Sequence, residues 1–77
     1  MTAAPPTLFE RVVAECGLAP AFARTAIERA LRRANIEPAA LTRSNLRSAL
    51  PEIERTVTMY LGPRTPQAMA RIEALLL

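Results

Sequence analysis

Arg43, Ser44, Asn45 and Arg47 fall in one short polar run, "TRSNLR". A guanidinium suits guanine edges and phosphates, and an Asn amide suits adenine. If the run opens a helix, these groups sit near its N-terminus, where a recognition helix reads bases. The stretch over residues 12–33, "VVAECGLAPAFARTAIERALRR", adds Arg24 and Arg32. It has the helix, glycine turn and second helix of a helix-turn-helix. Its second helix opens with Ala19, Pro20 and Ala21, however, and these cannot hydrogen-bond a base edge. Arg24, Arg32, Arg43, Asn45 and Arg47 are thus the expected contacts to a nucleic acid or to an acidic partner.

Other chemistry is scarce. Catalysis needs a nucleophile with a base, paired carboxylates, a metal or a cofactor loop. The chain has no His and one cysteine, Cys16. It therefore lacks an imidazole base and an ordinary zinc site. Gly17 and Gly62 stand alone, so no glycine-rich phosphate loop exists. Glu52 and Glu54 are two apart, and on a helix they point to different sides. No enzymatic activity, cofactor, metal or small-molecule substrate is expected.

The elements that would position these side chains are helices. All ten basic residues are Arg and all seven acidic residues are Glu, and there are fifteen Ala. This mixture is common in GC-rich bacterial coding sequence. It favours helix, and β-branched and aromatic residues are few. At 77 residues the chain is one domain. The expected fold is all-α, a compact bundle of about four short helices over residues 7–77, with residues 1–6 as a flexible tail.

Punctuation sets the boundaries. "TLFE" is a capping box that starts a helix over 7–16. Leu8, Phe9, Val12, Val13 and Cys16 form its apolar face, and Gly17 stops it. Pro20 opens a second helix over 20–35. Phe22, Ala23, Ala26, Ile27, Ala30, Leu31 and Ala34 make its apolar half, and Asn35 its left-handed stop. Thr42 caps a third helix over 43–61. Leu46, Leu50, Ile53, Val57 and Tyr60 keep one apolar phase through Pro51, so this is one helix kinked at the proline rather than two. Thr65 as cap and Pro66 as first residue open a fourth over 65–77.

That last helix is over-apolar. One buried face needs only Met69, Ile72 and Leu76, which leaves Leu75 and Leu77 to be covered. The expected interface is Tyr60, Leu61, Met69, Ile72, Leu75, Leu76 and Leu77. The functional expectation is a non-enzymatic helical interaction or assembly module that self-associates as a homodimer, binds another protein, or does both. The alternative is a helix-turn-helix-like DNA-binding regulator using its Arg-bearing surface. The lone cysteine and the absence of any run near about 18 apolar residues lead to the expectation of a cytoplasmic protein with no membrane partner.

Overall fold

The computed structural model describes residues 5–77. Four α-helices run in chain order: α1 (Leu8–Glu15), α2 (Pro20–Arg33), α3 (Arg43–Leu61) and α4 (Thr65–Glu73). Single 3₁₀ turns occupy Pro38–Ala40, Gly62–Arg64 and Ala74–Leu76. The all-α bundle of about four helices is the fold the sequence implies. Of the expected tail, residues 1–4 lie outside the described residues, and Pro5 and Pro6 are exposed ahead of the first cap.

The helix ends follow local chemistry. The Glu10 N–H donates to Thr7 Oγ1, and the Thr7 N–H donates to Glu10 Oε1, each at 3.1 Å. This reciprocal pair satisfies two otherwise orphaned donors. Beyond α1, Gly17 takes φ +79°, where a side chain is strained. A Cβ there would also come within 3.0 Å of Arg71 Nη2. Arg71 is close because its Nε donates to the Glu15 carbonyl at 3.3 Å. A cation on α4 thereby caps the negative end of α1. Asn35, at φ 61°, ends α2, and Ile36 N–H closes back on the Leu31 carbonyl at 2.9 Å.

α3 is continuous through Pro51. Pro51 and Arg47 both lie on the exposed side, so the carbonyl that Pro51 cannot pair with has solvent nearby. The buried stripe of α3 is Leu46, Ala49, Ile53, Thr56 and Val57. Its Leu46, Ala49, Ile53 and Val57 share one core with Ala23, Ile27, Ala30 and Leu31 from α2, Phe9 and Val12 from α1, and Ala68, Met69 and Ile72 from α4. The apolar phase of α3 is thus the chain's own core from Leu46 as far as Val57, and Tyr60 beyond it is exposed.

Two boundaries differ from expectation. Thr65 is the first residue of α4 rather than its cap, with φ −54° and ψ −45°. Its hydroxyl is buried and donates to the Gly62 carbonyl at 2.7 Å. α4 also stops at Glu73, and residues 74–76 tighten into a 3₁₀ turn. Among the described residues no helix is long and apolar enough to cross a membrane.

Candidate protein-interaction surface

Four large apolar side chains are exposed among the described residues: Phe22 (58%), Met59 (73%), Tyr60 (53%) and Leu77 (95%). The first three come together. Ala21, Phe22, Thr25, Ala26, Arg29 and Arg33 lie along one side of α2. Thr56, Met59 and Tyr60 face them from the last turns of α3, and a groove of about 260 Å³ lies between. The phase of each helix explains the grouping. Ala23, Ile27 and Leu31 point α2 at the core, which puts Phe22 on the margin of the buried stripe. Val57 does the same for α3 and turns Met59 and Tyr60 outward.

The groove is held in shape. The Phe22 and Tyr60 rings stack at 6.5 Å between centroids and 24° between planes, within the range of favourable aromatic pairs. Arg33 Nε donates to Glu52 Oε2 at 3.3 Å, and its guanidinium also donates to the buried Thr56 hydroxyl. Arg55 Nη1 lies 3.6 Å from the other Glu52 oxygen. Arg33 is therefore a strut between α2 and α3. Arg29, one turn earlier on the same side, is exposed and has no carboxylate within ion-pair distance among the described residues.

The interface set drawn from the sequence is divided by the structure. Met69 (5% exposed) and Ile72 (fully buried) belong to the chain's own core and cannot face a partner. Leu61, Leu75 and Leu76 are half-buried against that core. The physical reason is twofold. α4 packs against both α1 and α3, so two of its sides are covered rather than one. The 3₁₀ turn also abandons the helical phase and lays residues 74–76 against α3. Of that set, Tyr60 and Leu77 remain exposed. Phe22, expected in the apolar half of its helix, lies outside the core instead.

The polar set is divided in the same way. Asn45 completes a capping box: Thr42 N–H donates to Asn45 Oδ1 at 2.7 Å, and Asn45 N–H donates to Thr42 Oγ1 at 3.2 Å. Its amide nitrogen donates to the Ala40 carbonyl at 3.4 Å. Arg24 lies over the Phe9 ring, 5.3 Å from its centroid. Arg24 and Arg32 line a shallow recess that also holds Glu10, Glu28 and Glu37, and carboxylates there repel phosphate. Arg43 and Arg47 are exposed on the first turns of α3, away from the groove.

Sequence reasoning missed Phe22, Arg29, Arg33, Thr56 and Met59 as members of one site. The signal available was that Phe22 and Met59 fall off the centre of their apolar stripes. Cys16 is fully buried, its Sγ 3.1 Å from the Val13 carbonyl, and burial pushes its thiol pKa up. That is the opposite of what a reactive cysteine needs. No protein-family model, curated protein or solved structure matches this chain.

Proposed function

We propose that this chain is a non-enzymatic α-helical protein-interaction module, and that it docks another protein through the groove between α2 and α3. One observation carries the reading: three of the four exposed large apolar side chains gather in a single concave place. Scattered surface apolar residues are ordinary, but a grouped patch with polar edges marks an interaction site. Aromatic residues, Met and Arg are also the side chains enriched at interfaces. The C-terminal leucines argue less for a second copy of the chain, because Leu75 packs half-buried against the chain's own core and Leu77 alone stays exposed.

The test is comparative. The wild-type chain and a Phe22→Ser/Met59→Ser variant are used to retrieve proteins from an extract of the source cells. A protein held by the wild type and lost by the variant is then purified, and its binding measured by calorimetry. Both substitutions are on exposed side chains, so the variant should stay folded, its circular dichroism melt lowered by only several degrees through loss of the Phe22–Tyr60 stack. Identical recovery by both chains would refute the groove as the docking surface.

A further inference from the structure

The groove's dimensions and charge say more about what fits it than its apolar floor does. At about 260 Å³ it is smaller than the usual cofactor or metabolite pocket, which runs roughly 300–1,000 Å³. It has room for one or two large side chains. Its floor is Phe22, Tyr60 and Met59, and every charged residue in its lining is basic. Arg33 is neutralised by Glu52, but Arg29 is not. A guanidinium on the rim of an apolar recess offers a planar fork that matches a carboxylate with two parallel hydrogen bonds.

We infer that the groove takes an acidic segment of another protein, seating a large apolar side chain on Phe22, Tyr60 and Met59 and a carboxylate on Arg29. The inference rests on the docking reading above and names the chemistry of its occupant. A second copy of this chain fits less well. Two-fold pairing through one patch sets the patch against itself, so Arg29 would confront the basic lining of its twin. A single-stranded nucleic acid also fits less well. Its bases stack on open ring faces and its backbone needs several cations. Here one face of each ring is taken by the Phe22–Tyr60 stack, and of the two lining guanidiniums only Arg29 is outside an ion pair among the described residues. An acidic, apolar peptide meets both halves of the site at once. The rim charge then sets choice of partner, and the floor supplies retention.

A displayed library of short random peptides, selected on the full chain, is the probe. Enriched sequences should place Glu or Asp beside Leu, Ile, Met or Phe. A synthetic peptide of that kind should bind about tenfold more weakly to Arg29→Glu, the loss of one charge-assisted contact. Changing its carboxylate to Lys should restore binding to that variant, and added salt should weaken the wild-type complex. Arg29→Gln, with a smaller loss, guards against a fold effect, and circular dichroism checks both variants. Peptides that need Phe22 but show no acidic bias, or that keep their affinity for Arg29→Glu, would overturn this inference and leave the docking surface standing. No Phe22-dependent peptide at all would overturn both. A Phe22-dependent dimer in sedimentation, or single-stranded DNA binding abolished by Phe22→Ser, would equally replace the proposed occupant.

Discussion

Thr42 and Asn45 show how a polar run can look like a reader of bases and be a helix start. Each side chain accepts the other's backbone N–H, so both are occupied by the cap. Thr42→Ala should lower stability by about 1 kcal/mol, the usual cost of an N-cap. Urea denaturation measures it, and peptide binding at the groove should not change. Glu10 is the other capping partner. The Thr7 N–H, with help from the Thr7 hydroxyl, holds its carboxyl below the ordinary value of 4.5. A lowered folded pKa means that the unfolded chain binds the proton more readily, so stability from this group is present above pH 4.5 and is lost as pH falls through the folded value. Glu10→Gln should therefore flatten the acid limb of the midpoint-against-pH curve while leaving its shape near neutrality alone. Cys16 gives a third check at this scale. Buried, with its pKa raised, it should resist alkylation in the native chain and react once urea unfolds it; rapid native labelling would contradict the packing.

At the scale of elements, α3 carries the sharpest consequence. Proline in a helix interior costs about 3 kcal/mol relative to Ala, a net value that includes its restriction of the unfolded chain, and solvent beside the exposed Pro51 turn relieves part of it. Pro51 is exposed, so Pro51→Ala loses no core contact. The substitution should stabilise the chain by about 2 kcal/mol, read as a higher urea midpoint. A lower midpoint would mean that the helix needs the proline's shape. Continuity through Pro51 was legible because an apolar phase is a local property, carried by Leu46, Ile53 and Val57. The caps at Thr7 and Thr42 and the stops at Gly17 and Asn35 were legible for the same reason, since they involve residues a few positions apart. What lies across from a helix is not local. The wheel of α2 puts Phe22 in the apolar half, but only the approach angle of α3 decides that Ala23 and Ile27 are covered and Phe22 is not. Likewise nothing within residues 65–77 says that α1 and α3 both bury α4, or that the last turn tightens and draws Leu75 and Leu76 inward. The groove is made of margins, and margins are the part of an amphipathic pattern that sequence periodicity leaves open.

For the molecule as a whole, size separates the residues that hold the fold from those that recognise a partner. A chain of 77 residues with one cysteine has no disulfide of its own, and at ordinary per-residue values its stability is about 4–12 kcal/mol. One fully buried core side chain is then a large share of the total. Ile53, with no exposed surface, packs at the centre of the bundle. Ile53→Ala should cost about 2–5 kcal/mol and leave a substantial unfolded fraction at modest urea. Phe22 is as large and as apolar, yet it is 58% exposed. Its replacement by Ser forfeits mainly the stack on Tyr60, about 1 kcal/mol. The two variants should therefore separate cleanly: Ile53→Ala loses stability and binds partners in proportion to the folded fraction, whereas Phe22→Ser stays folded and loses binding. The chain can keep Phe22, Met59 and Tyr60 uncovered because its core closes without them. A Phe22→Ser variant as unstable as Ile53→Ala would instead place that ring in the core and remove the reason for assigning it to a partner.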